Sequence, residues 1–191
     1  NKKSKMVKKR ACVFISGNGS NLREIIKSSR DPNFPIKINL VISNNKKAFG
    51  IKYAKIFSIP YVILNQKMNK FERKTLKLLV ENKIELICLA GFMKILSKNF
   101  LREFKGKIIN IHPSLLPKYK GLNTFKKAIK NKDKFTGCTV HYVNEKLDGG
   151  KIILKKRIEI KSNIEEMVKK SVQLQEYKAY SIAIRKIYNK N

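Results

Sequence analysis

Short runs rich in Ile, Val and Leu alternate along the chain with longer stretches whose apolar residues recur at helical spacing. The runs at 11–15, 37–42, 61–64, 85–89, 107–111, 137–143 and 151–160 read as strands, and the stretches 21–29, 48–57, 69–82, 124–131 and 163–188 read as helices. That alternation predicts an α/β fold on a mostly parallel sheet. The last two strands depart from it. Only a short loop carrying Gly149 and Gly150 joins them, too little chain for a parallel crossover, so they are expected to pair antiparallel. A long terminal helix follows, and the spacing of Ser162 and Glu165 predicts a capping box at its start. No repeat, Pro-rich linker or compositional break divides the chain. Residues 1–191 are therefore expected to form a single domain, with 1–10 as a basic N-terminal arm.

No apolar run approaches the ~20 residues of a membrane-spanning helix, because a Lys interrupts nearly every one. The basic start is followed by too few apolar residues for an export signal. Cys12, Cys88 and Cys138 each sit in an apolar run with no C-x-x-C spacing, which fits buried thiols in a reducing cytoplasm better than disulfides or a metal site. Charge adds a question: 44 Lys+Arg against 13 Asp+Glu give +31, a field that suits a polyanion. Yet only seven of the 44 are Arg, the lysines are spread along the whole chain, and no aromatic-interleaved stretch or recognition-helix signature collects them. AT-rich coding, which favours Lys, Asn and Ile at permissive positions, is the simpler account. No nucleic-acid or membrane partner is expected, while the field would still draw small anionic substrates.

Three segments carry chemistry. Ser16-Gly17-Asn18-Gly19-Ser20-Asn21 lies between the first strand and the first helix. Its glycines let the backbone turn tightly, and the free N–H groups of a helix start attract an anion such as phosphate. A plain turn with Ser20 as N-cap is an equal reading of these residues alone. A dinucleotide site fits less well: Leu22 stands where the third glycine of that fingerprint belongs, and the second strand ends in Ser43-Asn44-Asn45 with no acidic residue. Further on, Asn110 and His112 lie two apart at the C-terminal end of a strand, just before Pro113, and so share a face. An amide beside an imidazole can hold and protonate an oxyanion, as acyl transfer requires. The competing reading is a hydrogen-bonded structural histidine. The loop 144–150 offers Asp148, either as an ordinary Asp-Gly turn residue or as a carboxylate that reaches His112, stabilises its imidazolium and fixes its orientation.

These segments read ISGNGSNL at 15–22, NIHPSLLPKYKGL at 110–122 and TVHYVNEKLDGG at 139–150, with LAGFMKILS at 89–97. In this order and spacing the chain closely resembles the glycinamide ribonucleotide formyltransferase family, from about Cys12 to the terminal helix. The resemblance implies a single-domain, Rossmann-like formyltransferase fold. It also implies direct transfer of a formyl group from 10-formyltetrahydrofolate to the primary amine of glycinamide ribonucleotide in purine (IMP) biosynthesis, through a tetrahedral intermediate and without a metal. Asn110, His112 and Asp148 would then be the catalytic trio, with His112 as proton donor and Asn110 holding the oxyanion. Gly17, Asn18, Gly19, Ser20 and Asn21 would bind the substrate phosphate. Gln173 and Glu176, which match a Q-x-x-E stretch and share a helix face, would bind the glycinamide end. Met93, Lys94, Ile95 and Leu96, with Asn110 and the loop residues Asn144, Glu145, Lys146, Leu147 and Asp148, would frame the folate. Small-molecule substrates and a monomer or weak homodimer complete what the resemblance implies.

The chain also departs from the family pattern. Lys94 stands where relatives commonly carry Arg, and Lys67-Met68-Asn69-Lys70 replaces an Arg that some relatives place near the folate tail, so a neighbouring Lys is expected to substitute. His141, on a strand beside the site, is given a supporting role at most, with a satisfied buried histidine as the favoured reading. Two related enzymes are the nearest alternatives. A formyltetrahydrofolate hydrolase usually carries an extra N-terminal domain, and a methionyl-tRNA formyltransferase an extra C-terminal one. An NADP-linked oxidoreductase or an RNA-binding module survives only if the motif agreement is fortuitous.

Overall fold

The computed structural model describes residues 7–188. Among them, seven strands form one sheet: β1 (Lys9–Ile15), β2 (Ile36–Ser43), β3 (Tyr61–Ile63), β4 (Leu86–Leu89), β5 (Lys107–His112), β6 (Phe135–Tyr142) and β7 (Ile152–Glu159), in the order β3-β2-β1-β4-β5-β6-β7. The helices are α1 (Ser20–Ser29), α2 (Ile51–Ile56), α3 (Met68–Glu81), α4 (Lys98–Glu103), α5 (Thr124–Lys130) and α6 (Glu165–Tyr188). β1 to β5 pair parallel, whereas β6 runs antiparallel to both β5 and β7. The mixed sheet expected from the sequence is present, with a larger antiparallel part than the one pair expected. Although a helix lies between β5 and β6, the segment 113–134 returns the chain alongside β5 instead of crossing the sheet.

The inner strands form because both of their faces are apolar, as in sheets covered on two sides. In β1, Ala11, Val13 and Ile15 pack with Leu22 and Ile25 of α1 and Val172 and Tyr180 of α6. Cys12 and Phe14 point the other way, against Phe71 of α3 and Phe100 of α4. The strand order reverses between β1 and β4, so a crevice opens outside their C-terminal ends, where open α/β sheets bind ligands. Tyr180 braces that end from below. Its buried hydroxyl donates to the carbonyl of Leu89 at 2.7 Å and lies 3.3 Å from that of Ile109, tying β4 to β5. Tyr180→Phe is expected to cost about 1–3 kcal/mol, measurable by urea unfolding.

Several local expectations change. β1 begins at Lys9, so it takes in the last two residues of the stretch expected to be an arm, and residues 1–6 of that stretch lie outside the described residues. α2 is shorter than the stretch 48–57, and α4 was not legible at all. The capping box does not form. Ser162 Oγ accepts instead from the nearer N–H of Ile164 at 3.1 Å, a local turn that competes with the cap, and α6 starts at Glu165. The three cysteines are buried and unpaired, and burial pushes the Cys138 thiol up to about 12. No helix among the described residues is long and apolar enough to cross a membrane.

Candidate active site

The turn between β1 and α1 is set by a close approach of two glycines. Gly19 is the N-cap of α1 in the left-handed region, with φ 70°, and a Cβ on it would lie 2.5 Å from Gly50 Cα. The N-cap is thus Gly19 and not Ser20, which is the first helical residue; no side chain caps the helix and no acid sits in its first turn. These N–H groups and the open space above Gly17 suit an anion. Asn21 reaches from the same turn into the protein, its Nδ2 donating to Glu176 Oε2 at 3.3 Å while its Oδ1 has no partner among the described residues. Gln173 lies half-buried one turn before Glu176 on α6.

Glu176 is 8% exposed, and burial raises its carboxyl above the usual range despite the hydrogen bond from Asn21. A raised carboxyl binds its proton more tightly in the folded than in the unfolded chain, so stability falls as pH climbs from the unfolded value toward the folded one. Glu176→Gln is therefore expected to raise the melting temperature of the ligand-free protein near pH 7 and to flatten its pH dependence above about pH 5, read by calorimetry across pH.

At the end of β5, Asn110 and His112 project together as expected, on the face opposite Ile109 and Ile111, which lie in the core under α6. Antiparallel pairing sets Asn110 opposite His141 and His112 opposite Thr139. His112 is 6% exposed; its Nδ1 lies 3.5 Å from Asp148 Oδ2, and its Nε2 lies 2.8 Å from the Tyr119 carbonyl. Asp148 is held from the other side by the N–H of Gly121, 2.8 Å from Oδ2. The segment 113–121 is itself fixed on β6. Thr139 Oγ1 donates to the Ser114 carbonyl at 2.7 Å and accepts from Leu116 N–H at 3.0 Å. After Asp148 the backbone passes so close to the end of β6 that only glycine fits at Gly150, where a Cβ would overlap the Tyr142 carbonyl.

Two loops flank this pair. In 91–97, Phe92 stacks on Phe71 at 5.6 Å, leaving Met93 66% and Ile95 73% exposed at the rim beside Lys94. Leu96 is turned into the core, so only its backbone is available to a ligand. Glu72 anchors the end of this loop, accepting from Ser97 N–H at 2.7 Å and Ser97 Oγ at 2.6 Å. In 144–148, Asn144 Oδ1 accepts from Lys146 N–H at 2.9 Å, Glu145 pairs with Lys98 and Arg102 of α4, and Leu147 is 53% exposed.

The sequence-level candidates thus converge on the open end of the sheet, with the turn at 17–21 and Glu176 joined by Asn21 and with His112 against Asp148. Asn110 makes no side-chain hydrogen bond among the described residues. Other residues were missed. Ser16 Oγ donates to Asn44 Oδ1 at 2.6 Å and accepts from Met93 N–H at 2.8 Å, coupling the turn after β1 to the 91–97 loop. Asn45 Nδ2 donates to the Ser16 carbonyl at 2.8 Å. The Ser43-Asn44-Asn45 ending of β2 therefore buttresses the turn. Tyr119 acts through its main-chain carbonyl and Gly121 through its N–H, which no side-chain pattern reveals, and His141, expected to be a satisfied buried histidine, instead leaves its Nε2 without a hydrogen-bond partner among the described residues.

A buried imidazole and carboxylate beside an amide, at the switch point of an open α/β sheet, is the equipment of a group-transfer enzyme. The formyl transferase family model matches residues 9–184, and the chain belongs to that family. It is 44% identical to the phosphoribosylglycinamide formyltransferase of Haemophilus influenzae over 93% of this chain and 86% of that protein. It is 40% identical to the human trifunctional purine biosynthetic protein adenosine-3 over 93% of this chain, spanning only 18% of that protein. The phosphoribosylglycinamide formyltransferase structure from Brucella melitensis superposes with a TM-score of 0.90 at 33% identity, covering 97% of this chain and 98% of that one. That from Coxiella burnetii gives 0.86 at 38% identity, covering 93% and 86%.

Proposed function

We propose that the protein transfers the formyl group of 10-formyltetrahydrofolate to the primary amine of glycinamide ribonucleotide in purine biosynthesis. The observation that carries this reading is the buried His112–Asp148 contact at 3.5 Å beside Asn110, with an uncapped helix start in the same cleft. The nucleotide phosphate sits on Gly17 to Asn21, and Gln173 and Glu176 receive the glycinamide end. Exposed Met93, Ile95 and Leu147 offer the apolar rim that a pteridine needs. Lys67, Lys70, Arg73 and Lys74 line an open groove of about 680 Å³ at the start of α3, which supports a Lys in place of the family's Arg toward the folate tail.

The amine attacks the formyl carbon, and the oxygen gains negative charge as the carbon becomes tetrahedral. The Asn110 amide holds that oxygen, while Asp148 orients His112. His112 Nε2–H exchanges the Tyr119 carbonyl for the tetrahedral species and gives its proton to the folate nitrogen. As the carbonyl re-forms and the bond from carbon to that nitrogen breaks, the attacking nitrogen loses one proton, which returns to His112 through solvent, leaving the formylated amine and the free folate amine. No metal takes part. Residues 1–191 act as a single formyltransferase domain in the cytoplasm, as a monomer or weak homodimer on small-molecule substrates, with no nucleic-acid or membrane partner. The test is to follow loss of the formyl group from 10-formyltetrahydrofolate spectroscopically with and without glycinamide ribonucleotide. Loss that requires the nucleotide supports the reading; loss without it identifies a hydrolase and overturns it.

A further inference from the structure

His141 is 2% exposed, and only one of its ring nitrogens is satisfied. Its Nδ1 lies 2.9 Å from the Tyr142 carbonyl, an atom that only accepts, so in the neutral ring Nδ1 carries the hydrogen. Nε2 is then a bare acceptor. It is buried, has no hydrogen-bond partner among the described residues, and faces Asp148 Oδ1 at 3.8 Å. Two acceptors set against each other in a dry site repel unless a proton lies between them. His112 repeats the arrangement on the other carboxylate oxygen, with Nε2 against the Tyr119 carbonyl and Nδ1 3.5 Å from Oδ2. Asp148 therefore sits between two imidazoles whose outer nitrogens are both committed as donors to backbone carbonyls.

We propose that His141 is a positioning residue for Asp148, holding Oδ1 through a proton taken up at Nε2 and so keeping Oδ2 aimed at His112. The proposal rests on the formyltransferase reading of His112 and Asp148. Asp148 needs such an anchor because it stands on a loop, with φ 48° and a single firm bond from Gly121. His141 is suited to supply it, because the sheet register fixes it directly across from Asn110. Burial outweighs the pull of the Tyr142 carbonyl and Asp148 and sets its imidazole below the usual range, so a proton at Nε2 is held there by the facing carboxylate against the cost of burial.

Two measurements test this. In the formyl-transfer assay, His141→Leu is expected to lower kcat by about tenfold, with KM for both substrates changed by less than about threefold. His141→Gln, whose amide can donate from near the position of Nε2, is expected to recover most of kcat but to lose the part of the pH profile that His141 contributes. The chain has two histidines, so their ring signals in an NMR pH titration are assigned with one variant. The His112 midpoint is expected to move in both His141 variants, and the His141 midpoint to move in Asp148→Asn. His141→Leu with unchanged kcat and pH profile, or a His112 midpoint unmoved in both variants, overturns the proposal. If His141→Leu does not fold, His141→Gln and Asp148→Asn decide it in the same titration. A wild-type protein that fails to formylate glycinamide ribonucleotide overturns the functional reading instead, and the titration still decides the role of His141.

Discussion

Replacing His112 with Ala, or Asp148 with Asn, is expected to lower kcat for formyl transfer by about a thousandfold or more, the scale of a lost proton donor or of its orienting partner. The two variants fail for different reasons. His112→Ala removes the imidazole that lies two residues from Asn110 on the same face of β5. Asp148→Asn keeps an oxygen to accept from the Gly121 N–H, which lies 2.8 Å from Oδ2 in the wild type. The loop between β6 and β7 can therefore stay in place, while the charge that stabilises the imidazolium is gone. Both proteins should remain folded by circular dichroism and should still bind substrate in a calorimetric titration. A folded variant with near-normal turnover would remove that residue from the mechanism.

Gly19→Ala is expected to damage both stability and nucleotide binding. The left-handed conformation alone costs an L-residue about 1–2 kcal/mol. The added Cβ must also displace the Gly50 backbone, 2.5 Å away, so α1 or the segment before α2 has to shift. The shift moves the N–H groups proposed to hold the phosphate, so KM for glycinamide ribonucleotide should rise about tenfold or more, the loss of roughly one charge-assisted hydrogen bond. Gly17→Ala is the stability control, since a Cβ there meets nothing within 4 Å. Urea unfolding and steady-state kinetics read the two effects separately. A Gly19→Ala protein with unaltered KM would place the phosphate elsewhere.

Elements with strong local patterning were legible. All seven expected strands are present, because β-branched runs bounded by turns carry their preference within a few residues. α4 was not, because its six residues hold only two apolar side chains, Phe100 and Leu101, too few to establish a period, and its start depends on Ser97 capping Phe100 N–H while held by Glu72. The capping box was misjudged for a related reason: the Ser162 hydroxyl had two amides within reach, and only the approach of the chain to α6 decided between them.

For the site, the sequence by itself determined the turn chemistry of Gly19, the shared face of Asn110 and His112, and a carboxylate followed by two glycines, all properties of a few neighbouring residues. Family resemblance assigned these residues to formyl transfer. The tertiary structure decided what surrounds them: the Tyr119 carbonyl on His112, the Gly121 N–H on Asp148, the Ser16 link to Met93, and His141 facing the same carboxylate. The Gly121 and Ser16 contacts join segments far apart in the chain, and the other two set face to face residues on either side of a folded turn. Their meeting depends on the β5–β6 register and on which loop packs over the strand ends, and those are set by the packing of the whole sheet, not by any local sequence preference.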